Sequence, residues 1–298
     1  MSEFICRHLY KSNLDKESSF GLFTSSSFAV RGFYTFDKSF NHPANQSLLR
    51  INTTGSSNQS KKESVIINLV ATTGSLTAFI SDCVANNEVK SVVLNNINIF
   101  DGDLWAVSLS KKADVKTKFN DSYSLGASKY NDGKRQSYYY TSSFIAKSAP
   151  GDSSVLSVKS AQYNSSGSFI TIGSQSLGGT GKFINKSSTE IQKSTIFSGE
   201  VSYLNFWSSY KTEDEFIGYS KNPNSVGSMN PAINYNFSNL ETGSFERMRI
   251  QTHGKQGTTD TDNDGRIRLF DFSQNNLHFD CRGFEPNKTV MTPNHIIF

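Results

Sequence analysis

Cysteine is scarce. The 298 residues hold three, Cys6, Cys83 and Cys281, far apart and odd in number. That excludes a disulfide-framework fold and a CxxC zinc pair, fits synthesis in a reducing compartment, and leaves a single disulfide open. Charge is thin as well, at 19% of residues with a formal net charge of +4. Lys and Arg are scattered, and the densest clusters are pairs such as Lys61-Lys62 and Lys111-Lys112. A nucleic-acid surface needs a basic stripe, so no nucleic-acid partner is expected. Long apolar runs are missing. No stretch approaches the roughly 18 apolar residues of a spanning helix, so no membrane span is expected. Met1 to Leu14 is polar and lacks the apolar run of a signal peptide. With no signal peptide, the expected location is a virion or extracellular structure after assembly, and otherwise the cytoplasm. There is no glycine period and no run rich in Ala, Glu, Leu and Lys, which excludes collagen and a coiled coil.

Ser, Thr and Asn fill the gap, alongside 23 Phe and 12 Tyr. An aromatic share of 12% at so small a net charge argues against disorder. Eight Asn-x-Ser/Thr sequons occur, about what this composition produces by chance, and they are no evidence of secretion. Alternation of apolar and polar residues is the dominant pattern, and it marks half-buried strands. Phe28 to Phe36 places Phe28, Val30, Tyr34 and Phe36 on one face. Ser64 to Ala71 and Leu76 to Ser81 flank the turn Thr72-Thr73-Gly74-Ser75. Lys90 to Phe100 is β-branched and apolar, and in Leu104 to Ser110 the residues Trp105, Val107 and Leu109 share a face. Tyr123 to Tyr130, the turn Asn131-Asp132-Gly133 and Gln136 to Ile145 read as a hairpin. In Phe197 to Trp207 the apolar phase slips around Ser202-Tyr203, as a bulge allows. One segment reads as helix. Thr212 to Tyr219 has Thr212 as N-cap and Glu215 completing a capping box, with Gly218 and Pro223 limiting it to about two turns. Strands at regular spacing with one short helix predict an all-β sandwich or barrel. A linker-like run, Asn222 to Pro231, sets the domain boundary. The division is an N-terminal arm at 1–19, a sandwich domain at 20–221, and a linker with a small C-terminal β/coil extension or partial second module at 222–298.

Three stretches, in order, resemble a laminin G-like domain of the concanavalin A-like lectin/glucanase superfamily. They are Phe28 to Phe36, Asp101-Gly-Asp-Leu-Trp-Ala-Val-Ser-Leu109, and Phe197 to Ser208 followed by Lys211-Thr-Glu-Asp-Glu-Phe216. In the first, Tyr34 stands where Trp is frequent and Gly32 is displaced by one residue. The resemblance implies a jelly-roll sandwich of two antiparallel sheets with one short helix near the domain's end. Asn234 to Phe237 and Arg268 to His278 resemble the segment that opens such a module, although Phe279 stands where Gly is expected.

The sharpest local signal for chemistry is Asp260-Thr-Asp-Asn-Asp-Gly-Arg-Ile-Arg-Leu-Phe-Asp271. Asp260, Asp262 and Asp264 occupy loop positions that converge on one hard cation, with Gly265 at the sharp turn. Arg266 offers its carbonyl, and Asp271 stands where a bidentate carboxylate is wanted. This predicts a Ca²⁺ site, against the alternative of an acidic hairpin turn. No helix is apparent on either side, and Asp is shorter than the usual Glu. Asp101-Gly102-Asp103 and Asn131-Asp132-Gly133 are explained as turns. Glu213, Asp214 and Glu215 are adjacent on the expected helix. They cannot flank a glycosidic bond as paired acids must. The five His are isolated. No Gly-x-Ser-x-Gly elbow occurs, and Leu177-Gly-Gly-Thr-Gly181 lacks the Lys of a phosphate loop. Tyr138-Tyr139-Tyr140 either cover the sheet or offer ring faces to a sugar. The expectation is a non-enzymatic adhesion or structural module, in its specific form part of a viral or phage virion protein, that meets a protein or glycan surface or self-assembles into a larger particle. The alternative is a lectin-like carbohydrate binder, with Ca²⁺ dependence, and a glycoside hydrolase comes third.

Overall fold

The computed structural model describes residues 3–6, 27–36, 45–53, 64–80, 89–113, 120–131, 134–146, 168–173, 197, 199–207, 209–221, 248–252, 267–269 and 279–282. The strands are β1 (Glu3–Cys6), β2 (Phe28–Phe36), β3 (Asn45–Thr53), β4 (Ser64–Thr72), β5 (Gly74–Ile80), β6 (Lys90–Ile97), β7 (Leu104–Lys112), β8 (Asn120–Asn131), β9 (Lys134–Ala146), β10 (Ser168–Gly173), β11 (Gly199–Trp207), β12 (Met248–Gln251), β13 (Ile267–Leu269) and β14 (Phe279–Arg282). One helix, α1 (Glu213–Lys221), follows β11. The strands form two sheets, ordered β13-β14-β1-β10-β3-β4-β5-β6 and β12-β11-β2-β7-β8-β9. Every pairing is antiparallel. Among the described residues the fold is an all-β, two-sheet sandwich with one short helix, as the alternation predicts.

The arm expected at 1–19 supplies β1, and the stretch beyond 222 supplies β12 to one sheet and β13–β14 to the other. The register between β1 and β14 sets Cys6 opposite Phe279 and Phe4 opposite Cys281, so two cysteines distant in sequence lie on neighbouring strands.

The core lies between the sheets and is built from the alternate residues picked out by pattern. Phe28, Val30, Tyr34 and Phe36 of β2 meet Trp105, Val107 and Leu109 of β7, with Leu125 and Ala127 of β8 beyond, all buried. The opposite sheet contributes Leu49, Ile51, Ile67, Leu69, Leu76, Ala78, Val92 and Leu94. Phe197 sits edge-on to both Tyr34 and Phe36, at 5.8 and 5.6 Å between ring centroids. The three stretches that carry the family resemblance are adjacent in one sheet, in the order β11-β2-β7. Gly32 is explained by close approach. A Cβ there would stand 2.7 Å from the Tyr34 ring, which lies back over it. The expected phase slip in β11 is a register shift between Ser202 and Asn205, with Tyr203 at a φ of 48°. It lets Leu204 and Phe206 reach the core while Tyr203 joins Phe33 and Ala106 in a second small cluster.

The helix differs from expectation in its end. It runs through Gly218 to Lys221 and stops two residues before Pro223, whose ring disfavours helical backbone in the residue before it. Its start is as expected. Thr212 Oγ1 accepts from the Glu215 N–H at 3.3 Å, and Glu215 Oε2 accepts from the Thr212 N–H at 2.8 Å.

Trp105→Ala is expected to lower stability by about 3–5 kcal/mol, from lost burial and the cavity left behind. Gly32→Ala should cost about 1–3 kcal/mol by forcing the Tyr34 ring aside. Urea denaturation measures both, and a Trp105→Ala loss under about 1 kcal/mol would contradict the core assignment.

Candidate functional site

The carboxylates flagged in the sequence fall into four places: the 260–271 loop, the Asp132 turn, the 101–103 turn and the start of α1. Asp260, Asp262, Asp264, Arg266 and Asp271, the expected Ca²⁺ ligands, lie outside the described residues; of that loop only Ile267–Leu269 is described, as β13. The Asp132-Gly133 turn also lies outside them. Among the described residues no three His, Cys, Asp or Glu side chains cluster as metal ligands would. No helix among them is long and apolar enough to cross a membrane.

Asp101-Gly102-Asp103 is a turn that clamps a core residue. Asp101 Oδ1 accepts from the Asp103 N–H and from the Trp105 indole N–H, each at 3.0 Å. Lys129 Nζ donates to Asp101 Oδ2 at 2.6 Å and to Asp103 Oδ2 at 2.9 Å, and lies 5.3 Å from the centre of the Trp105 ring. Burial by itself would raise the Asp101 carboxyl. The hydrogen bonds from Lys129, Trp105 and Asp103, with the Lys129 charge, outweigh it and hold Asp101 below its ordinary value. Burial likewise opposes the Lys129 charge, and the two carboxylates overcome that and push Lys129 up.

The outer face of the six-stranded sheet carries the richer constellation. Small residues along β7 and β8, including Ser108, Ser124 and Gly126, leave room for α1 to lie on it. Phe216 of α1 sits on Gly126, where a Cβ would stand 2.7 Å from its ring. Tyr138 and Tyr140 flank it, at 6.2 and 6.3 Å between centroids. Tyr139 faces the other way and packs on Trp105 at 6.2 Å. The Tyr138 hydroxyl donates to Glu213 Oε1 at 2.5 Å, and Arg135 lies 4.9 Å above its ring. Burial, that hydrogen bond and the Glu213 charge push the Tyr138 phenol well up. Tyr140 is raised to about 12, by burial first and then by Tyr210 and Glu213, with Ser124 pulling the other way. Tyr210 shares a 3.3 Å hydrogen bond with Ser124 and lies 5.8 Å beneath Lys112.

Further along β9 on this outer face stands Phe144, 78% exposed. It was not singled out in the sequence, although it keeps the phase of Tyr138 and Tyr140 along the strand. Of the three adjacent tyrosines, then, two belong to the outer strip and one to the core.

Arg31, on the same face, lies wholly buried beneath the end of α1. Its Nη1 donates to the Tyr219 carbonyl at 2.7 Å, and its Nη2 to the Asn205 amide oxygen at 2.7 Å once that amide is turned to present it. Trp207 and Tyr219 stack at 5.5 Å beside the guanidinium. Burial drives the Arg31 pKa down to about 9, which leaves it charged at neutral pH.

No protein family matches the chain, and no curated protein does. Among solved structures it is similar to the full-length tailspike protein 2 from Escherichia coli O157:H7 bacteriophage CAB120, with a TM-score of 0.40 and 10% identity over 77% of this chain and 24% of that one. It therefore spans about a quarter of the tailspike's length. It is also similar to a family 7 alginate lyase, A1-II′, at a TM-score of 0.27 and 10% identity over 56% of this chain and 65% of that one. The botulinum neurotoxin serotype D binding domain is similar at a TM-score of 0.27 and 10% identity, over 97% of this chain and 72% of that one. These are distant likenesses of β-sandwich fold alone.

Asp101→Asn is expected to destabilise the protein at neutral pH. Because its folded pKa is depressed, the wild-type advantage is present above the ordinary Asp value of 3.8 and is lost as pH falls through the folded value. The Lys129 contribution runs the other way: present below 10.5 and lost as pH rises through its raised folded value. Urea midpoints of wild type and Asp101→Asn across acid pH check the first; curves that stay parallel down to pH 2 would contradict it.

Proposed function

We propose that the chain is a non-enzymatic β-sandwich module for adhesion or for building a larger particle, and that it meets its partner through the outer face of β9. The observation that carries this is Phe144, a large apolar ring 78% exposed, in line with Tyr138 and Tyr140, which α1 holds in place. A single exposed apolar ring is ordinary on a protein surface, and what supports a contact here is its continuity with the partly exposed rings of Tyr138 and Tyr140 along one strand face. The finer reading is a laminin G-like module of the concanavalin A-like superfamily serving in a virion. Its supports are the three motif strands, adjacent as β11-β2-β7, and a composition rich in Ser, Thr and Asn.

A lectin-like role is the second reading, favoured by the same strip. Fixed aromatic rings beside Ser and Tyr hydroxyls can stack on the apolar face of a sugar ring while hydrogen-bonding its edge. Calcium dependence would enter through Asp260, Asp262, Asp264, Arg266 and Asp271, an oxygen-rich set suited to a hard cation.

A glycan array with wild type and Phe144→Ala separates these readings. Binding that Phe144→Ala weakens about tenfold or more supports the lectin. Silence across the array leaves adhesion to protein or particle building. Binding that ignores Phe144→Ala moves the contact surface elsewhere. Isothermal calorimetry with Ca²⁺ tests the loop separately: heat of binding that Asp260→Asn with Asp264→Asn abolishes is expected, and no heat, with no change of melting temperature in chelator, overturns it.

A further inference from the structure

The six-stranded sheet ends at β9, and among the described residues no strand pairs with its outer edge. Among the described residues β9 hydrogen-bonds to β8 alone. An edge strand presents a row of unpaired N–H and C=O groups, and soluble proteins blunt it with charge, proline, bulges or brevity. The other sheet edges show such devices. β12 has four residues and β13 three. β6 opens on Lys90 and carries Asn96 at a φ of 59° near its end. β9 is 13 residues long, and from Gln136 to Ala146 it holds no charge, proline or glycine. Its charges, Lys134 and Arg135, stand at its first two positions, and the register shift against β8 falls beside them at Lys129/Tyr130.

We propose that β9 pairs antiparallel with β9 of a second copy of this chain, about a two-fold axis at Thr141, so that the two six-stranded sheets continue as one. The sequence of the strand argues for a copy of itself. With the axis at Thr141, Tyr138 of one copy stands opposite Phe144 of the other, and the pairing occurs twice by symmetry. Aromatic cross-strand pairs of this kind stabilise antiparallel sheets. Tyr140 stands opposite Ser142, and Gln136 opposite Ala146. Lys134 and Arg135 fall beyond the paired span, which stops at Ala146, one position before this register would set Arg135 against Lys147. The axis is perpendicular to the sheet, so both outer faces look the same way and the two aromatic strips join. The contact covers the edge of β9 and leaves its outer face open, and it needs nothing from the reading of what that face binds.

Sedimentation of the whole chain at rising concentration tests this, with two variants. The wild type is expected to form a dimer. Phe144→Lys, on an exposed position, should weaken that dimer about tenfold or more, with circular dichroism and melting temperature showing that the fold is kept. Thr141→Cys should form a disulfide with its mate in the other copy when treated with oxidised glutathione, because directly opposed residues of an antiparallel pair lie at about 4.5–5.5 Å between Cα atoms, within disulfide reach. Peptide mapping identifies the 141–141 link against Cys6, Cys83 and Cys281. A wild type that stays monomeric overturns the proposal and leaves the edge to a foreign strand. A dimer indifferent to Phe144→Lys, or one in which Cys at 141 fails to cross-link, overturns it as well.

Discussion

Phe216 rests on bare backbone at Gly126, and the outer surface of the six-stranded sheet is organised around that contact. A side chain on β8 at this point would hold α1 off the sheet. Without one, the ring drops between Tyr138 and Tyr140, and the helix comes close enough for its far end to cover Arg31 with Tyr219. The capping box of Thr212 and Glu215 fixes where the helix starts, so the ring arrives at the right height. The helix covers the middle of the outer face and stops short of the far end of β9, which leaves Phe144 in solvent.

The buried and half-buried charges in this structure join pieces of the fold. Arg31 ties β2 to β11 and α1. Lys129 ties β8 to the turn before β7. Lys111 and Asp121, both buried, pair at 3.3 Å across β7 and β8, with Lys111 over the Tyr123 ring. Such groups pay heavily in desolvation, and removing one partner of a buried pair costs more than the pair contributes. Their strength is in fixing register and position. The strip on β9 is different in kind: aromatic and hydroxyl-bearing, half-buried at Tyr138 and Tyr140 and open at Phe144.

Much of the fold was legible in the sequence because alternation is a local signal. The inward set of β2, the hairpin of β8 and β9, the slip in β11 and the capping box each need only a few neighbouring residues to be read. What escaped depends on contacts distant in sequence. Arg31 reads as an ordinary polar-face residue of β2, and its burial needs Tyr219, 188 positions away. Asp101 reads as a turn residue, which it is, but its grip on the Trp105 indole also depends on Lys129. The three tyrosines of β9 divide between faces by strand parity, and the same parity marks Phe144; the cue was present and needed the helix to show which rings remain uncovered. The loop at 260–271, which the sequence offers as a Ca²⁺ site, is the reverse case: its spacing is sharp, and its candidate ligands lie outside the described residues.

Hydrogen exchange on Gly126→Val is the most direct test of how this surface is made. Val suits a strand, so β2 and β7 should keep their protection. The amides of α1 should lose part of theirs, because Phe216 has lost its seat and only the contacts at the two ends, Tyr138 to Glu213 and Arg31 to Tyr219, still hold the helix. A helix that stays as protected as in the wild type would contradict the account, since the outer face would then owe its arrangement to something other than the ring on Gly126.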